Sequence, residues 1–155
     1  MSAILAAIFL SPTAGTLPQA VEQVRAMAGR GLEGDRYATG MGKFSGNAGI
    51  REVTLIEEEV LTQFAHEYGH PLTAAQARRN LLTRGVQLND LVGREFLVGA
   101  VPMRGVRLCE PCAHLARLTS APVLPGLIRR GGLYAQILRD GELAVGDVIA
   151  IEAGR

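Results

Sequence analysis

Cys109 and Cys112 are the only thiols in the chain and stand together in Cys109-Glu110-Pro111-Cys112. A thiolate is a nucleophile, a soft metal ligand and an acceptor of sulfane sulfur, and each role needs a lowered pKa and access. The spacing also fits a thioredoxin-type redox pair, placed after a strand and before a short helix over Ala113–Thr119. A helix N-terminus there would favour the thiolate, while Glu110 opposes it. Against that pair, thioredoxin chemistry needs a βαβ opening, and here several strands precede the motif. A structural zinc site would need two further Cys or His ligands, and His114 alone stands close by. The plain alternative is a small hydrophobe in the core. Two otherwise rare residues at one strand end, beside an arginine-rich half, favour chemistry at Cys112 with Cys109 as its partner.

Arg78-Arg79-Asn80 is the second constellation, with Arg36 in a glycine-rich loop as a companion. Arginine offers a planar donor fork for phosphate or carboxylate, and asparagine adds a neutral donor and acceptor. Adjacent arginines entering a strand point to opposite faces, so one of the two enters a given pocket. A solvated charged turn explains the same residues without any ligand. In Glu33-Gly34-Asp35-Arg36, Asp35 can anchor a turn and Gly34 can supply a positive φ. His66-Glu67-Tyr68-Gly69-His70 matches His-Glu-x-x-His letter for letter. A metallopeptidase needs both histidines on one unbroken helical turn. Gly69 is a natural C-cap and Pro71 disfavours helix at His70, so the helix stops between them.

These residues must be held by short elements. Ala3–Ser11 reads as a buried strand, followed by Val24–Ala28 and by Glu52–Ile56 with Val53 and Leu55 on one side. The period then changes: Val60, Leu61, Phe64 and Ala65 share one face of a helix over Glu57–Tyr68, and Thr73 can cap a second helix through Ala77. Leu81–Thr83, Glu95–Val98 and Val101–Leu108 read as strands separated by Gly85, Gly93 and Gly99. Leu133–Leu138 and Val148–Ile151 are expected to pair across Asp140-Gly141. Many short strands with few helices give a mainly β fold with peripheral helices, a barrel or sandwich.

The 155 residues favour a single domain over 1–155. Hydrophobic residues make up 48% and charged residues 20%, which excludes a disordered chain. Net charge is +1, which argues against a nucleic-acid partner bound by bulk charge. The two halves differ: residues 1–75 carry five basic and eight acidic groups, residues 76–155 eleven and seven. An anion is therefore expected at the C-terminal half. No apolar stretch reaches the roughly 18 residues of a membrane span, and Arg25 is the first basic residue, so neither a membrane nor a signal sequence is expected. Two cysteines make no disulfide framework, which suits a reducing cytoplasm.

Read in order, Gly31-Leu32-Glu33-Gly34-Asp35-Arg36-Tyr37, Arg51-Glu52-Val53-Thr54-Leu55-Ile56, Arg78-Arg79-Asn80-Leu81, Cys109-Glu110-Pro111-Cys112 and Gly141-Glu142-Leu143-Ala144-Val145-Gly146-Asp147 resemble the MOSC family, the domain found at the C-terminus of molybdenum cofactor sulfurases. The resemblance spans roughly residues 3–152 and implies a β-barrel-like domain. It implies sulfur handling, or binding of the molybdenum cofactor (molybdopterin), at a family cysteine matched by Cys112, as molybdenum ligand or persulfide carrier. It further implies that Arg78 and Asn80, with Arg79 and Arg36 nearby, hold the cofactor's phosphate or pterin, and that Cys109 tunes or resolves Cys112. If the protein is an enzyme, sulfur transfer or reduction of N-hydroxylated compounds follows, with a cysteine desulfurase, a molybdoenzyme or an electron-donor reductase as partner. A non-catalytic cofactor-delivery module and a Cys-x-x-Cys redox protein are the alternatives. Pyridoxal phosphate is not expected, since Lys43 in its glycine-rich loop is the only lysine. Substrate and oligomeric state are not specified by the residues.

Overall fold

Aliphatic runs punctuated by glycines become strands wherever one side can be buried. The computed structural model describes residues 3–11, 17–35, 52–69, 72–109 and 131–151. Its strands are β1 (Ile4–Leu10), β2 (Gln19–Val21), β3 (Gln23–Met27), β4 (Gly31–Leu32), β5 (Val53–Glu57), β6 (Leu81–Arg84), β7 (Glu95–Val98), β8 (Val101–Leu108), β9 (Leu133–Ile137), β10 (Gly141–Ala144) and β11 (Ile149–Ile151). The helices are α1 (Glu58–Tyr68) and α2 (Ala74–Ala77), with a 3₁₀ turn at Leu88–Leu91. None is long and apolar enough to cross a membrane.

The main sheet has the order β11-β7-β8-β9-β5-β6-β1-β2, and a second sheet the order β10-β3-β4. Among the described strands every pairing is antiparallel except β5 with β6. A parallel pair needs a crossover, and α1 and α2 provide it. The large sheet curls until β11 meets β1 through an Ile4–Val148 bridge, with the Leu5 amide donating to the Asp147 carbonyl at 2.8 Å. The fold is thus the barrel-like, mainly β architecture expected from the sequence.

Alternation decides which side each residue serves. Leu5, Ile8, Val53, Leu55, Leu81, Phe96, Val98, Met103, Leu133, Ala135 and Ile137 point into the barrel and form one core. Ile56 and Leu82 point outward, where Val60, Leu61 and Phe64 of α1 cover them with Leu72 and Ala77. Phe64 is fully buried, so the 3.6-residue stripe of α1 does what its period requires. The helix ends at Tyr68 on Gly69, whose φ of 66° lets its amide reach the Ala65 carbonyl. Thr73 caps α2 with its hydroxyl accepting from the Gln76 amide, and the Gln76 side chain accepts from the Thr73 amide.

One expected pairing is overturned. Leu133–Ile137 does not pair with the last strand: β9 lies between β5 and β8, and β11 pairs with β7. The intervening Gly141–Ala144 forms β10 and pairs with β3 in the second sheet. Asp140 explains the diversion, because its carboxylate accepts from the Ala28 amide at 2.7 Å and lies 3.4 Å from Arg25 on β3. The residue that looks like a hairpin turn instead ties the chain to another sheet.

Glu52 joins the two sheets. It is buried, and its Oε1 accepts from the Gly29 amide in the β3–β4 turn and from the Ile137 amide of β9, each at 3.0 Å. Burial raises its carboxyl above the ordinary range, and the Ile137 and Gly29 amides partly offset that. A carboxyl raised on folding stabilises the protein below its unfolded pKa, and that contribution is lost as pH rises through the folded value. Glu52→Gln keeps an acceptor for both amides and removes the charge. The stability of Glu52→Gln relative to wild type should therefore be highest at pH 7.5 and fall as pH approaches 4.5, read from urea midpoints. A relative stability that rises on acidification would contradict this account.

Candidate functional site

The outer face of the sheet carries buried polar side chains at the start of β6 and on β5. Asn80 stands directly before β6 and is buried, 5% exposed. Its Oδ1 accepts from the Thr54 amide at 3.0 Å and the Thr54 hydroxyl at 3.1 Å, and its Nδ2 donates to the Phe9 carbonyl at 3.2 Å. Its own amide donates to Thr54 Oγ1 at 2.9 Å, and its carbonyl accepts from the Phe9 amide at 2.7 Å. Asn80 therefore binds β5 and β1 to the start of β6. An asparagine suits this place because it can accept and donate at once.

Arg78 and Arg79 do not enter the strand as the alternation rule expects. Arg78 closes α2 in the left-handed region (φ 61°), the only non-glycine residue with positive φ among the described residues. Glycine or asparagine is the usual choice there. Arg79 is half-buried, and its Nε donates to the Gly131 carbonyl at 2.8 Å, its Nη1 to the Ala77 carbonyl at 3.4 Å. Gly131 precedes β9 and Arg79 precedes β6, the two strands that flank β5. The guanidinium thus links both sides of β5, and two of its five N–H groups are used in doing so.

Cys109 follows β8 directly. It is fully buried, and its amide donates to the Gly132 carbonyl at 2.8 Å. Gly132 holds φ 114°, and a Cβ there would collide with the Leu55 carbonyl oxygen. Arg79 and Cys109 therefore meet on one dipeptide, Gly131-Gly132, at the base of the segment that carries Cys112. Cys112 and Arg36 lie outside the described residues, as do His70, His114, Lys43 and the helix expected over Ala113–Thr119. Next to Arg36, Asp35 is fully buried and its Oδ1 accepts from the Ser11 amide at 2.8 Å, the turn-anchoring role its type suggests. Gly34 beside it has φ 87°.

Three residues on this face were not singled out from the sequence. Thr54 pairs with Tyr134 of β9, and Tyr134 pairs with Arg107 of β8. The Arg107 guanidinium lies 4.8 Å from the Tyr134 ring centroid. Asn80, Thr54, Tyr134 and Arg107 consequently make one row across neighbouring strands, running from buried to exposed. Strict alternation along β8, with Val101, Met103 and Gly105 buried, would send Arg107 into the barrel. A bulge between Gly105 and Arg107 shifts the register and turns it outward. Gly105 is required beside the bulge, since a Cβ there would collide with the Leu91 carbonyl. The only sequence trace of this switch is Arg107 itself, a charge breaking an otherwise alternating strand.

Asn80→Ala removes the acceptor of the Thr54 amide and hydroxyl in a buried place, and should cost about 2–4 kcal/mol by denaturant titration. Gly132→Ala meets both a forbidden φ and backbone, and should cost about 3 kcal/mol or more. A loss under 1 kcal/mol for either would show that the network does not hold the strands.

Comparison with known proteins places this geometry in context. A family model described as the MOSC domain matches residues 42–150, well over half of the chain, including Arg78–Asn80 and both cysteines. The crystal structure of the YuaD protein from Bacillus subtilis superposes with a TM-score of 0.79 at 15% identity, covering 96% of this chain and 94% of that one. YiiM from Geobacillus stearothermophilus gives 0.74 at 18% identity, with 97% and 75% covered. YiiM from Escherichia coli gives 0.64 at 16%, with 97% and 70% covered. At these identities the likeness is one of fold. No curated protein matches the sequence.

Proposed function

Since the chain belongs to the MOSC domain family, a family linked to the molybdenum cofactor, we propose that it binds that cofactor, or a related phosphorylated pterin, on the outer face of the sheet. The observation that carries this reading is the meeting of Arg79 and the Cys109 amide on Gly131-Gly132. It brings the Arg-Arg-Asn motif against the base of the segment bearing Cys112.

The donor set fits such a group. A phosphate calls for fixed cations and N–H donors, and Arg79 is pinned by two carbonyls with donors to spare. Arg78 stands beside it, at the end of α2. Asn80 has a different part in this reading: its amide is engaged with Thr54 and Phe9, so it sets the floor against which the ligand lies and leaves one N–H to offer. Cys112 supplies the thiolate, as molybdenum ligand or as sulfur carrier. Bound cofactor would contribute oxygen- or sulfur-transfer chemistry coupled to electron transfer. Arg78 and Arg79 hold its anionic end, with Arg36 as a further cation from its own loop. Sulfur transfer, or reduction of N-hydroxylated compounds with an external reductase, are the two reactions open to such a site. A partner desulfurase or molybdoenzyme, and a cytoplasmic setting, belong to the same reading.

The complete burial of Cys109 favours cofactor binding over a thiol–disulfide pair, because exchange needs an accessible sulfur. Anaerobic reconstitution with molybdenum cofactor provides the test, with bound molybdenum measured for wild type, Cys112→Ala and Arg79→Gln. Cys112→Ala should retain little metal, and Arg79→Gln roughly tenfold less than wild type at limiting cofactor. Equal retention in all three would remove both residues from the site.

A further inference from the structure

The arginines of the outer surface are mostly spoken for. Arg104 reaches Glu95 at 2.7 Å, Arg84 reaches Glu58 at 3.0 Å, and Arg25 reaches Asp140 at 3.4 Å. Arg107 differs. Among the described residues no carboxylate lies within ion-pair distance of it, and its guanidinium makes no hydrogen bond. Its guanidinium lies 4.8 Å from the Tyr134 ring centroid. A cation–π contact of this kind holds the guanidinium near the ring without consuming its N–H donors, which stay available to an oxoanion.

The position adds to the case. The bulge after Gly105 exists at the point where it turns Arg107 from the barrel interior to the outer face. Arg107 lies two residues before Cys109 and ends the row formed with Tyr134, Thr54 and Asn80. The half of the chain that contributes it carries eleven basic against seven acidic groups. An exposed cation on this face, unpaired among the described residues and seated over an aromatic ring, is suited to reading the charge of a ligand that lies along the row.

We propose that Arg107, seated over the Tyr134 ring, binds a phosphate or other oxoanionic group of the ligand and makes the site selective for anions. This deepens the cofactor reading above and rests on it for the choice of face. The role of Arg107 is to bind and orient, and no bond is made or broken by it.

Inorganic pyrophosphate is the probe, titrated at constant ionic strength into wild type, Arg107→Met, Arg107→Lys and Arg84→Met and followed by NMR. The chain has no tryptophan and three tyrosines, so the part of the tyrosine fluorescence change lost in Tyr134→Leu gives a second readout. Wild type should bind saturably, and Arg107→Met about tenfold more weakly. Arg107→Lys should bind more weakly than wild type, because lysine keeps the charge and loses the fork. Arg84→Met should bind as wild type does, with Tyr134→Leu weaker than wild type. Thermal midpoints confirm that each variant is folded. Undiminished binding by Arg107→Met or Arg107→Lys, an equal loss in Arg84→Met, or no saturable binding by wild type would each overturn the proposal. Molybdenum retention measured on these variants together with Cys112→Ala and Arg79→Gln separates the two readings: loss confined to Cys112→Ala and Arg79→Gln, with no pyrophosphate effect at Arg107, leaves cofactor binding standing and removes this inference.

Discussion

Asn80 is the point on which the face depends. Its amide group, buried and bonded to Thr54 on one side and Phe9 on the other, joins a parallel strand pair to an antiparallel one where ordinary ladder bonding changes its pattern. Strand ends of this kind leave backbone groups that must be satisfied or cost free energy. A single side chain able both to accept and to donate meets that demand. Once it does, Arg79 is directed across β5 toward Gly131, and the end of β8 is drawn to Gly132 by the Cys109 amide.

The same economy of space appears in the barrel. Its interior is filled by aliphatic and aromatic side chains from alternating positions, so polar chemistry has to lie on the other face or beyond the strand ends. The helix α1 covers the outer face over β5 and β6. Toward β9 and β8 the row emerges as Tyr134 and Arg107. Two glycines make this arrangement sterically feasible: Gly132 lets β9 begin against the Leu55 carbonyl, and Gly105 lets the Leu91 carbonyl approach β8. Substituting either would push strands apart where Arg79, Cys109 and Arg107 converge.

Much of the local structure was legible beforehand because it rests on short-range rules. The helical stripe of Val60, Leu61 and Phe64, the stop at Gly69, the Thr73 cap and the strands Glu95–Val98 and Val101–Leu108 all follow from period and from cap or turn chemistry. The placement of the site residues was less legible. The strand begins at Leu81 and α2 ends at Ala77, as read, but Arg78 and Arg79 do not lead into the strand on alternating sides: Arg78 caps α2 with a left-handed φ and Arg79 reaches across to Gly131. Asn80 reads as a ligand contact, and its amide turns out to be engaged by Thr54 and Phe9, residues 26 and 71 positions away.

The sequence by itself determined the mainly β character, the inward and outward sides of β5, the helix that closes the crossover and the family to which the chain belongs, because periodicity, capping and ordered motifs are local properties. Only the tertiary structure decided which strands are neighbours. It sent Leu133–Ile137 between β5 and β8, gave Gly141–Ala144 to a second sheet, and used one bulge to turn Arg107 outward onto Tyr134. The physical reason is that pairing and register are set by contacts between residues far apart in sequence, and a shift of one residue exchanges the two faces of a strand.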